Sequence, residues 1–152
     1  MTLMPIERIP DWEQRIARQD AFWQREILDR PVVIMACGKE TPEAPWPARR
    51  AYTSQRECWF DVARVVEGAR ASALNTEYLG DALPTACPNL GPEVFSAFFG
   101  TELEYSETTA WAIPNLHDWS EAETLQFSED NIYYRQLWAL TEGLLEGGQG
   151  IY

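Results

Sequence analysis

The chain has 152 residues, a length suited to one domain, and its apolar fraction of 45% is enough to bury a core. No apolar run reaches a membrane span, and Pro5, Glu7, Arg8 and Pro10 interrupt the N-terminus, so neither a transmembrane helix nor a secretory signal peptide is expected. Residues 1–75 carry 11 bases against 11 acids and residues 76–152 carry 13 acids against Arg135, which places the net charge of −12 in the second half and argues against a nucleic-acid partner.

Residues 11–28 read as an amphipathic helix, with Asp11 at its start and Trp12, Ile16, Phe22, Trp23, Ile27 and Leu28 at helical spacings. Asp29, Arg30 and Pro31 end it, because the residue before a proline resists the helical region. The uncharged run Val32-Val33-Ile34-Met35-Ala36-Cys37 predicts a strand buried on both faces, as in a parallel sheet. Residues 39–53, with three prolines, Trp46 and the Arg49-Arg50 pair, form a loop long enough to suggest function. Ser54-Gln55-Arg56-Glu57 is a capping box that opens a helix to about residue 74.

The helical period fades from 76 to 119. A strand is expected around 79–86, in parallel with 32–37, then the turn Pro88-Asn89-Leu90-Gly91-Pro92 and a short helix over 92–99 stopped by Gly100. Residues 103–105 and 108–113 read as short strands, and Ser120-Glu121-Ala122-Glu123 as a second capping box. The last helix begins after Ser128, with Glu129 and Asp130 in its first turn and Tyr133, Leu137, Leu140 and Leu144 as its stripe. Gly147-Gly148-Gln149-Gly150 ends it, and Ile151-Tyr152 reads as the onset of another strand. The whole is α/β.

Three cysteines (Cys37, Cys58 and Cys87) and the single histidine His117 make neither a disulfide framework nor a four-ligand zinc site. Free thiols in a cytoplasmic protein without a membrane partner are the expectation. Cys37 and Cys87 both follow apolar runs and read as buried thiols. His117, beside Asp118, is a candidate general base, and Trp46, Trp111 and Trp119 are candidate pocket walls. The acidic half reads as a solvated surface or as the face that meets a basic partner.

Several stretches together resemble the N-terminal portion of the uroporphyrinogen decarboxylase-like family, whose superfamily includes corrinoid and coenzyme M methyltransferases. They are residues 30–37, Tyr78-Leu79-Gly80-Asp81-Ala82-Leu83-Pro84, Pro88-Asn89-Leu90-Gly91-Pro92 with Phe98-Phe99-Gly100, and 109–111 up to Asp118-Trp119. The resemblance implies a (β/α)₈ barrel, which needs about 250 residues, so this chain would supply its first two or three βα units. It implies that Asp81 is the catalytic aspartate that binds pyrrole N–H groups and stabilises a protonated pyrrole. It also implies a tetrapyrrole or corrinoid ligand, with no cofactor in the decarboxylase branch. Zinc ligands of the methyltransferase branch would lie beyond Tyr152.

The family's arginine-bearing stretch is replaced by Met35-Ala36-Cys37-Gly38-Lys39-Glu40-Thr41, which points to a divergent member. Lys39, with Arg49 and Arg50 from the next loop, is left to meet substrate carboxylates, and Asn89, Trp111 and His117 complete the substrate-side candidates. Two functions follow as expectations: a decarboxylase- or methyltransferase-like portion, inactive alone, or a non-catalytic module working through a protein partner. A two-fold homo-oligomer is expected, joined through an open strand edge or the apolar stripe of the last helix.

Overall fold

The computed structural model describes residue 6 and residues 8–152, so Pro5 and Glu7 lie outside the described residues. The chain is mixed α/β and divides into two units. One comprises the described residues up to Pro47 with Glu67–Ala86 and Gly147–Tyr152; the other comprises Ala48–Val66 and Cys87–Glu146. No helix among the described residues is long and apolar enough to cross a membrane.

In the first unit, α1 runs over Trp12–Trp23. It stops short of the expected residue 28 because Arg25 turns into the left-handed region at φ 62°, and Glu26 N–H bonds back to the Ala21 carbonyl. Its buried residues are Arg15 and Arg18, while Phe22, Trp23, Ile27 and Leu28 are exposed. The expected apolar stripe is therefore corrected: ion pairing, not hydrophobic spacing, chooses the inward face.

Strand β1 is Ile34–Gly38. The single helix expected over 55–74 is two, α2 (Gln55–Phe60) and α3 (Val62–Asn75), parted at Asp61. Asp61 adopts an extended backbone and its Oδ1 accepts Arg64 N–H at 2.9 Å, so this aspartate caps a new helix where the periodicity alone reads one. That bond, with help from Arg50 and Tyr52, lowers the Asp61 carboxyl to about 2. The Ser54 cap forms as read, its Oγ accepting Glu57 N–H at 3.2 Å.

Strand β2, Thr76–Gly80, follows α3 directly and pairs with β1 antiparallel, Ile34 opposite Gly80 and Gly38 opposite Thr76. The expected parallel pairing is overturned. The reason lies at Asn75, which is buried. Its Oδ1 accepts Glu43 N–H at 2.8 Å and Ala44 N–H at 2.9 Å, its Nδ2 donates to the Ala44 carbonyl, and its own carbonyl accepts Lys39 N–H. The chain leaving β1 is thus pinned beside the start of β2, which re-enters at the end where β1 finished. Nor is β1 buried on both faces, since all five of its residues are exposed.

In the second unit, α4 (Val94–Ala97) precedes the antiparallel pair β3 (Glu102–Tyr105) and β4 (Ala110–Ile113), with Leu103 opposite Ala112. A 3₁₀ turn covers Trp119–Thr124, capped by Asp118 through Ser120 N–H and not by Ser120 itself. Helix α5 is Ile132–Gly147. Glu129 and Asp130 lie before it, and Asn131 caps it by accepting Tyr133 N–H and Tyr134 N–H. Ala97, Leu103, Ala110 and Tyr133 form the core, with Phe60 and Tyr105 against them. Helix α5 passes so close to Val62 that a Cβ on Gly143 would lie 2.5 Å from Val62 Cγ1. Tyr133, Leu140 and Leu144 are buried here, so that stripe is not open to a second copy.

Asn75→Ala leaves the amides of Glu43 and Ala44 without their acceptor and is expected to destabilise the protein by about 1–3 kcal/mol. Urea unfolding at neutral pH measures it. A loss well under that range would show that the antiparallel return does not depend on Asn75.

Candidate functional site

Asp81 follows β2 and is fully buried. It is placed there by Gly80, whose φ of +66° suits glycine and whose missing Cβ would lie 2.3 Å from the Val33 carbonyl oxygen. Asp81 N–H donates to that same oxygen at 2.6 Å, and Gln19 Nε2 donates to the Asp81 carbonyl at 2.8 Å.

Protein donors surround the carboxylate. Oδ1 accepts from Arg30 Nη2 at 2.9 Å and Arg18 Nη1 at 3.1 Å; Oδ2 accepts from Arg30 Nη1 at 2.6 Å and Val33 N–H at 3.0 Å. Arg18, nearly buried, also forks onto Asp29 through Nε and Nη2, both at 2.7 Å. Arg30 N–H donates to Asp29 Oδ1 at 2.9 Å. Two guanidinium groups and two carboxylates thus close a cluster of zero net charge. Beside it Arg15 joins Asp11 Oδ1 at 2.8 Å to the carbonyls of Tyr78 and Ala82.

Burial by itself would raise the Asp81 pKa, but the hydrogen bonds from Arg30, Val33 N–H and Arg18 outweigh it, and the net direction is down. The fork from Arg18, first among its causes, holds Asp29 at about 2, and the same pairing raises Arg18. Asp81 is therefore ionised at neutral pH and fully hydrogen-bonded by its own chain. As arranged, it is an ion-pair node. It meets a pyrrole N–H only if Arg30, whose side chain is about as exposed as Arg50's, swings away.

Within its own unit Asp81 is not joined by Lys39. Lys39 lies at the far end of the β1–β2 ribbon, about 20 Å from Asp81 at ~3.3 Å per residue, and its Nζ pairs with Glu43 at 2.5 Å. Trp46 is exposed in the same unit. In the second unit Arg49 is exposed, Arg50 is held by Asp61 at 2.6 Å, and Asn89 Oδ1 accepts Gly91 N–H within its turn. Trp111 and Trp119 are exposed, as is His117, whose N–H donates to Glu121. Cys37 and Cys87 are exposed, not buried, and the three cysteines are unpaired. No group of three or more His, Cys, Asp or Glu among the described residues is placed to hold a metal ion.

The residues that do converge on Asp81 escape a reading by motif. Arg15 and Arg18 share a helix face at i, i+3, and that spacing beside Asp11 was the available signal.

Asp81→Asn keeps the shape and removes one charge from a buried cluster, so a loss of about 3–5 kcal/mol in urea unfolding at pH 7 is expected. The acid dependence has a definite sign. A carboxyl with a lowered folded pKa stabilises above its unfolded value, about 3.9, and loses that contribution as pH falls through the folded one. Unfolding free energy should fall between about pH 4 and 2, the range of the Asp29 shift, and more shallowly in Asp81→Asn. Equal slopes would exclude Asp81 as the source.

No family model, curated protein or solved structure matches the chain, and what the buried carboxylate does has to be taken from the charges and hydrogen bonds around it.

Proposed function

We propose that this chain acts as a binding module, in the cytoplasm, that works by pairing β1 edge to edge with a second copy of itself. The observation that carries this reading is an apolar strand open on both faces: Ile34 is 67% and Met35 53% exposed, although neighbouring residues of a strand point to opposite sides. The bonds Asp81 N–H to Val33 and Lys39 N–H to Asn75 set the ladder's phase. Residues 33, 35, 37 and 39 therefore face β2, while 34, 36 and 38 turn their N–H and C=O groups outward. On the opposite edge, Arg15 occupies the Tyr78 carbonyl.

Residues 31–38 hold no charged side chain, so self-pairing there avoids the repulsion that a net charge of −12 imposes elsewhere. Centred on Ala36, an antiparallel two-fold sets Ile34 against Gly38 and Met35 against Cys37 of the partner. Every outward amide and carbonyl then finds a mate. Light scattering at low micromolar concentration should give a dimer mass. Ala36→Pro removes an outward N–H, leaves the bonds to β2 intact, and should give a monomer with an unchanged circular dichroism spectrum. A monomeric wild type would sink this reading.

A second reading keeps the uroporphyrinogen decarboxylase-like assignment, supported by the way Arg30 and Asp81, from two of the resembling stretches, grip each other. Barrel strands are parallel, so the antiparallel ribbon would then precede the barrel's own strands. Asp81, freed from Arg30, would meet a tetrapyrrole or corrinoid. Purified chain is expected to convert no uroporphyrinogen above a no-enzyme control; product formation would favour this reading over the first.

A further inference from the structure

The second unit carries an aromatic surface that extends outward from Phe98, which packs against the core. Phe95 meets Phe98 and Phe99 with centroids 6.2 and 5.3 Å apart, and Phe99 meets Phe127 at 6.3 Å. Phe127 meets Tyr134 at 5.0 Å, and Tyr134 returns to Phe98 at 5.6 Å, which closes a ring of five side chains. Trp138, one turn along α5, joins Tyr134 at 6.3 Å. Phe95 is 70%, Trp138 53% and Phe127 47% exposed, and Phe98, Phe99 and Tyr134 between them are half-buried. Helix α5 is thus apolar on two sides, and the outer side continues to the exposed Leu145. A joined apolar surface of this kind marks a contact site, unlike scattered single residues.

The charge around it selects the occupant. Residues 87–146 hold 11 acids and one base, Arg135, and that arginine is paired with Asp130. Exposed Glu129 stands two residues beyond Phe127, and exposed Glu142 stands one helical turn beyond Trp138. A second copy would bring acids against acids. A cation gains twice here, from the carboxylates and from the ring faces. The unit already uses the second attraction, with the Arg56 guanidinium 5.1 Å from the Phe60 ring and 5.0 Å from the Tyr133 ring.

We propose that Phe95, Phe98, Phe99, Phe127, Tyr134 and Trp138 form a docking surface for a basic amphipathic helix of another protein. Its aliphatic face would lie on the rings, and its Lys and Arg residues would reach Glu129 and Glu142. This surface shares no residue with β1, so its test is distinct from that of self-pairing.

The test uses the full chain and a fluorescein-labelled 18-residue peptide of leucine and lysine with leucines at helical spacing. A twin peptide carries glutamate in place of lysine. Anisotropy at low and moderate salt should show the lysine peptide binding at least tenfold more tightly than its twin. Because a chain of charge −12 attracts any cation, charge-neutral variants decide the matter. Trp138→Ala and Phe95→Ala should each weaken binding tenfold, whereas Ile113→Ala, on β4, should not. Glu129→Gln with Glu142→Gln should weaken it several-fold and flatten its salt dependence. Phe95 is mostly exposed, so its removal tests the surface even if Trp138→Ala fails to fold. Binding unaffected by both aromatic variants, or equal binding of the two peptides, overturns the proposal. So does a dimer that dissociates on Phe95→Ala, because the occupant would then be a second copy.

Discussion

A carboxylate removed from water must be matched by cations and hydrogen-bond donors. The first unit is organised around that requirement at Asp81. Its oxygens take Arg18 from α1, Arg30 from the segment that leads into β1, and the amide of Val33. These donors come from separate parts of the chain, so meeting the requirement brings the helix, the strand entry and the end of β2 together. Gly80 is part of the same constraint: a side chain there would collide with the Val33 carbonyl that receives the Asp81 amide. The carboxylate therefore acts first as an architectural centre, and any ligand role has to compete with its own arginines.

The two units are stabilised in different ways. The first buries small or aliphatic residues such as Ala71, Ala73, Ala82 and Ile9 alongside Arg15, Arg18, Asn75 and Asp81. Much of its order is directional, set by hydrogen bonds that accept only one geometry. The second relies on packed rings and aliphatic side chains, with Tyr133 central: its hydroxyl accepts Leu103 N–H and donates to Glu102, tying α5 to β3. Directional networks specify a unique arrangement but supply little hydrophobic driving force. That contrast fits the exposure of Phe22 and Trp23 on α1 and of the apolar residues of β1, against the burial of Tyr133, Leu140 and Leu144 on α5.

Two groups of surface apolar residues differ in their chemistry. Those of β1 come with no charge and with outward backbone groups that have no partner among the described residues, a combination suited to strand addition. The rings beside α5 come with carboxylates and a backbone already satisfied by helix and turns, a combination suited to side-chain docking. The two proposed contacts differ accordingly: self-pairing at an uncharged strand, and docking of a basic helix beside carboxylates.

Local features were legible in the sequence because their causes lie within a few residues. The Ser54 cap, the strands at Glu102–Tyr105 and Ala110–Ile113, and the buried line Tyr133, Leu140 and Leu144 follow from capping chemistry, alternation and helical period. Asp81 stood out by resemblance, but its surroundings did not. Arg30 lies 51 residues away and Arg18 63, and no periodicity relates charges at such separations. The direction of β2 was equally hidden, because it depends on Asn75 holding the backbone at Glu43 and Ala44, some 30 residues earlier. The sequence by itself determined roughly where helices and strands form, though not all of their bounds, and where the charge lies. Only the tertiary structure decided which face of α1 turns inward, how β1 and β2 pair and what Asp81 binds, because each is settled by partners that meet only after the chain has folded.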